Sequence, residues 1–209
     1  INGRIVHAGQ ACCSSKRFIV QENIYDEFAG RLAERLKGMK IGDPLDQGSR
    51  IGPLIDERAA QRVEEIVDRT VKAGAYCLCG GRRFDGNFFE PTVLTGVTPA
   101  MDIAQNLEVF GPVFPLIKFK TEEQAVAIAD NCTYGLSSGV ISGEIQRAIR
   151  VARQLDAGNC TINGTGLYRT HDMSFGGHRK SGLGTEGLYA TLDEFTKTKT
   201  YVWKGAAIR

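Results

Sequence analysis

"VFPLIKFKTEEQAVAIADNCTYGLSSGVISGEIQRAIRVARQLDAGNCTIN", residues 113–163, changes period four times. "VFPLIKF" is a short apolar run of strand length, and Thr121 followed by Gln124 forms a capping box that opens a helix over "EEQAVAIAD". "SSGVIS" reads as a second strand, "EIQRAIRVARQL" as a helix ending near Gly158, and "CTIN" as a third strand. The order is β-α-β-α-β. Such alternation predicts an α/β chain with a parallel sheet flanked by helices, right-handed crossovers and a site near the carboxyl ends of the strands.

The flanks extend this pattern in both directions. Upstream, Lys16 to Val20 reads as a strand, and Ile24, Phe28, Leu32 and Leu36 recur at helical spacing until Gly38 and the loop "IGDPLDQGS". A second helix begins near Asp56, with Val63, Ile66, Val67 and Val71 on its inner face and Gly74 as its stop. "YCLCGG" and "FFEPTVLTGV" are short strand-like pieces punctuated by Gly and Pro. Downstream, "FGGHRKSGLGTEG" (175–187) holds five glycines and reads as a long irregular connection. A short helix over Leu188 to Phe195 and a last strand, "TKTYVWK", close the chain. That solitary strand needs an edge, and the sheet of another subunit can supply one.

Composition narrows the function. With 209 residues, 42% hydrophobic and 24% charged, the chain can bury a sizeable core. Its 26 basic and 24 acidic residues give a net charge of +2, too weak and too scattered a field for nucleic acid or an anionic membrane as partner. No apolar run approaches the roughly 18 residues of a membrane span, and the first residues carry no leader pattern, so a cytoplasmic setting is expected. Six cysteines in such a chain read as free thiols, and neither they nor the three histidines fall into ligand spacing, so no metal is expected.

Two of those thiols stand in "HAGQACCSSKRFIV" (7–20), after a Gly-Gln turn and before a strand. A nucleophilic cysteine needs partial exposure and nearby donors or positive charge, which a turn entering an element end can provide. Four passages place this stretch in context: "GQACCSSKRFIV", "LEVFGPV" (107–113), "NCTYGLSSGVIS" from Asn131 and "SFGGHRKSGLGTEG" from Ser174. In order and spacing, across nearly the whole chain, they resemble the aldehyde dehydrogenase superfamily.

The resemblance implies an α/β catalytic domain with a parallel Rossmann-like sheet and NAD or NADP as cofactor. It implies Cys12 as the nucleophile, with Cys13 at a neighbouring variable position. Glu108 would hold the nicotinamide ribose hydroxyls, Phe110 would pack by the nicotinamide, and Phe175 would wall the aldehyde tunnel. Arg169 and His171 precede the "SFGG" match, where the family often contacts the far end of the substrate, so Arg169 suits a carboxylate-bearing substrate such as a semialdehyde. Residues 1–184 would form the catalytic domain and 185–209 a C-terminal helix with an oligomerisation strand, in a homodimer or homotetramer. The family's NAD-binding domain, oxyanion asparagine and deacylating glutamate lie upstream of the nucleophile. Only eleven residues precede Cys12, so the missing N-terminal half is an expected partner and the 209 residues alone are expected not to turn over. Three other readings compete with hydrolytic aldehyde oxidation. They are a CoA-acylating relative, a Cys-His thiol hydrolase using His7, and a non-catalytic structural paralogue.

Overall fold

The computed structural model describes residues 1–205. After a single helical turn α1 (Asn2–Ile5), the chain enters β1 (Phe18–Gln21), helix α2 (Glu22–Lys37) and helix α3 (Glu57–Lys72). β2 (Tyr76–Cys79), the two-residue hairpin β3 (Arg83–Phe84) and β4 (Phe88–Phe89), and β5 (Thr92–Val97) follow. The opening 113–163 passage then gives β6 (Val113–Phe119), α4 (Glu122–Asp130), β7 (Tyr134–Gly135), β8 (Ser137–Val140), α5 (Ile145–Ala152) and β9 (Asn159–Ile162). Three two-residue strands, β10 (Phe175–Gly176), β11 (His178–Arg179) and β12 (Thr185–Glu186), precede helix α6 (Leu188–Phe195).

The main sheet runs β1-β6-β5-β2. Both neighbours of β6 are parallel to it, while β2 joins antiparallel at the edge. Val113, Phe114, Leu116 and Ile117 are fully buried, as an internal parallel strand covered on both faces requires. Thr121 caps α4 by accepting from Gln124 N, and Gln124 Oε1 reaches back to Lys120 N, so the box closes one residue earlier than its usual partner. The expected alternation is present, but its strands divide between two sheets. β8 and β9 pair with each other in parallel, apart from the β6 sheet.

Helix α2 buries a face rotated from the expected one. Tyr25, Ala29, Leu32, Ala33 and Leu36 face the core, whereas Ile24 is 52% exposed and Phe28 lies at the surface. Tyr25 sets this rotation, because its hydroxyl donates to Leu116 O at 3.0 Å and accepts from Gly96 N at 3.1 Å, fixing the helix across β5 and β6. On α3, Val63, Ile66 and Val67 are buried as expected, while Val71 sits at the rim.

One expectation for the C-terminal part is corrected. The glycine-rich 175–187 stretch is a folded-back hairpin, with Phe175 opposite Glu186 and His178 opposite Gly135. Its anchor is Arg179, which bonds the carbonyls of Asp130, Cys132 and Asp156 and pairs with the Asp156 carboxylate. The expected "TKTYVWK" strand needs the sheet edge of another subunit, which a single chain does not supply. Tyr201, Val202 and Trp203 are exposed and unpaired in this single chain, since a strand exists only where a neighbouring edge completes its ladder. The last four residues of the expected 185–209 unit lie outside the described residues. Among the described residues no helix is long and apolar enough to cross a membrane.

Candidate active site

The thiol loop is held by an unusual run of backbone. His7, Ala8 and Gly9 adopt φ values of 52°, 53° and 78°, three left-handed residues in succession, and the chain then turns through Gln10 to Ser14. Gln10 fastens the turn to the 53–55 strap, accepting from Ile55 N at 2.8 Å while its amide donates to His7 O at 3.0 Å. Ser15 N donates to Gly3 O and Ser14 N to Ala11 O, closing the loop around Cys12. Cys12 is exposed, and its backbone N–H donates to no described carbonyl, which leaves it available to an incoming oxyanion. Cys13 is partly covered. Burial, then the adjacent Cys12, pushes its thiol above the usual range, so Cys13 stays protonated at neutral pH.

The segment that carries Glu108 and Phe110 lies directly against this loop. At Gly9 a Cβ would meet Gly111 O at 2.3 Å, so glycine permits an approach that no side chain allows. Arg4, fully buried, donates from Nε to Val113 O at 2.8 Å and from Nη2 to Val109 O at 2.7 Å, with Ser14 Oγ 3.3 Å from Nη1. One guanidinium thus clamps both ends of the 109–113 turn to α1 and the thiol loop. Lys16 donates to Ala11 O at 2.6 Å, lies 3.5 Å from Glu108 Oε1 and sits 4.5 Å over the Phe110 ring. Neither cation stands out in the sequence. Their only signal is their position: a charge four residues after the thiol, and another in an apolar turn eight before it.

Cys12, Glu108 and Phe110 therefore share one surface. Both loops enter the sheet at the amino ends of β1 and β6, not at the carboxyl ends that the alternation pointed to. The connection that follows β9 also reaches this loop, because Thr165 lies against Gly3 and Gly166 against Ser137 and the Cys13 carbonyl. Farther along that connection, Arg169 and Phe175 meet each other, with the guanidinium 4.4 Å from the ring centroid. Arg169 is already paired, donating to Glu186 Oε1 at 2.7 Å, so a substrate carboxylate must share or displace Glu186. The hydrogen bonds described for His7 run through its carbonyl, not toward Cys12.

This geometry can present a thiolate beside an amide donor, with an acceptor carboxylate and a half-open aromatic face within one patch. A model of the aldehyde dehydrogenase family matches residues 1–201. The chain belongs to the aldehyde dehydrogenase family. It is 42% identical over 202 residues to the mitochondrial succinate-semialdehyde dehydrogenase of Rattus norvegicus, covering 95% of this chain and 38% of the rat protein. Among solved structures it is similar to glyceraldehyde-3-phosphate dehydrogenase from Methanocaldococcus jannaschii complexed with NADP, with a TM-score of 0.87 and 36% identity over 92% of this chain and 41% of that one. Betaine aldehyde dehydrogenase from Staphylococcus aureus in complex with NAD+ gives a TM-score of 0.89 and 36% identity, covering 93% of this chain and 39% of that one. This aldehyde dehydrogenase chain thus spans about two fifths of the length of these relatives.

Proposed function

We propose that the chain supplies the nucleophile and the nicotinamide-side contacts of an NAD(P)-dependent oxidation of an aldehyde to a carboxylic acid. The observation that supports it most is the Gly9–Gly111 contact, which sets the Cys12 loop against the Glu108–Phe110 segment. The residues present suit the cofactor. A half-exposed carboxylate offers acceptor oxygens to a ribose diol, and Phe110, 40% exposed, offers a flat apolar face to a planar ring.

In this reading the Cys12 thiolate attacks the carbonyl carbon, forming a C–S bond and an oxyanion that the Cys12 N–H stabilises. NAD(P)+, when bound, supplies the acceptor for the hydride that leaves that carbon. The oxyanion collapses to a C=O as the hydride leaves, so Cys12 carries a thioester. Water then cleaves the C–S bond, releasing the acid and returning the thiolate. Cys13, kept protonated, stays out of this cycle. Residues 1–184 act as the catalytic unit, and the exposed 196–204 tail pairs with a second subunit. The 209 residues by themselves do not turn over, since the contacts proposed here serve only the nicotinamide end of the cofactor.

Brief, limiting iodoacetamide followed by mass spectrometry tests the nucleophile assignment. Cys12 is expected to be alkylated ahead of the other five cysteines. Faster labelling of Cys77 or Cys132 would reject it.

A semialdehyde is the substrate class that Arg169 favours. In the intact enzyme, Arg169→Ala should lower kcat/KM for succinic semialdehyde by roughly tenfold, equivalent to one charge-assisted contact, and leave a neutral aldehyde unaffected. Equal values for both substrates before and after the change would remove Arg169 from substrate recognition. A Cys-His hydrolase finds no support in the direction of the His7 hydrogen bonds.

A further inference from the structure

The proposed chemistry uses Cys12, Glu108 and Phe110 but assigns nothing to the cation between them. Lys16 is the least exposed cation in any described ion pair, its side chain 18% exposed. We propose that Lys16 is a positioning residue that holds Glu108 and Phe110 in register with the Cys12 loop, presetting the carboxylate that receives the cofactor ribose. The inference rests on the cofactor reading above and deepens it.

An ammonium has three N–H donors, and Lys16 has three neighbours for them. One donor is fixed on Ala11 O, the carbonyl directly before Cys12; the others face Glu108 Oε1 and the Phe110 ring. These neighbours belong to two loops nearly a hundred residues apart in the chain. A solvated surface pair contributes little because water and side-chain entropy compete with it. Here the stem is covered and the Ala11 anchor fixes the head, so the charge acts on Glu108 from a set position. Lys16 meets Glu108 through Oε1, so the fixed ammonium orients the carboxylate that is offered to a diol.

The arrangement carries its own pH limit. Burial first, and the Arg4 cation of α1 second, push Lys16 down to about 8, against the opposing pull of Glu108 from the loop before β6 and Cys12 from its own loop. Above that pH the amine is neutral and its hold on Glu108 weakens. Between about 8 and its ordinary value near 10.5 the unfolded chain binds the extra proton, so this group adds stability as pH rises while cofactor binding declines.

Isothermal titration calorimetry of NAD+ and NADP+ with the intact protein tests this without requiring turnover. At pH 7, Lys16→Met is expected to raise Kd about fivefold, the loss of one charge-assisted contact. Glu108→Gln should raise it at least as much, and the double variant should be no weaker than Glu108→Gln, because both changes act through one contact. From pH 7 to 9 the wild-type Kd should rise, whereas it should stay flat in Lys16→Met and in Lys16→Arg, whose guanidinium keeps its charge. Multiplying losses in the double variant, or a wild-type Kd unchanged from pH 7 to 9, would overturn the role of Lys16. If Glu108→Gln bound both cofactors as wild type does, the cofactor reading itself would fall.

Discussion

Replacing Cys12 by serine in the intact enzyme is expected to lower aldehyde oxidation by at least about a thousandfold. A hydroxyl is barely ionised near neutrality, and His7 directs its described hydrogen bonds through its carbonyl, not toward this position. The substitution should leave the fold unchanged within about 0.5 kcal/mol, because Cys12 is exposed and packs into no core. The measurement has two arms. kcat/KM reports the loss, and intact mass after mixing with aldehyde and NAD(P)+ reports whether an acyl adduct still forms. Activity within tenfold of wild type would move the nucleophile elsewhere, with Cys13 the first residue to substitute next.

Gly9→Ala is expected to destabilise the protein by about 3 kcal/mol or more, lowering its thermal midpoint by roughly 6–12 °C. Two penalties add. Alanine at φ 78° sits in the left-handed region, and its Cβ would lie 2.3 Å from Gly111 O with Arg4 O 3.1 Å away on another side. Both obstacles are backbone, and the Arg4 clamp on Val109 O and Val113 O keeps the 109–113 turn from retreating. Relief therefore requires the two loops to separate, so NAD(P)+ affinity should fall together with stability. Gly30→Ala is the control: it lies in an open stretch of α2 with nothing within 4 Å, and should stabilise by about 0.5–1 kcal/mol. An unchanged midpoint for Gly9→Ala would mean that the close approach of the loops is not maintained in solution.

Legibility in the sequence depends on whether the signal is local. β6 over Val113–Phe119 and α6 over Leu188–Phe195 match the limits expected from sequence, and α3 begins near Asp56 as expected, with Asp56 as its cap, because burial period and cap chemistry are written within each segment. The buried face of α2 is not the one hydrophobicity selects. Ile24 and Phe28 are more hydrophobic than Ala29 and Ala33, yet the tyrosine hydroxyl, anchored on two distant strands, fixes the rotation. The 175–187 hairpin is hidden for the same reason, since Arg179 finds its carbonyls at positions 130, 132 and 156. The terminal strand is the opposite case: its residues have strand character, but pairing is a property of two segments. At the candidate site, the motifs single out Cys12, Glu108 and Phe110. They do not single out Arg4 and Lys16, because a cation in a sequence looks solvated until the fold covers it.

The Arg4 clamp also orders events in time. Its bonds to Val109 and Val113 span 105 and 109 residues of chain, so the thiol loop cannot take its final shape until the segment ahead of β6 has been synthesised and collapsed onto it. A ribosome-bound nascent chain released before that point would carry Cys12 on an unformed turn. The thiol loop thus assembles late, although its cysteine emerges well before the segment that fixes it.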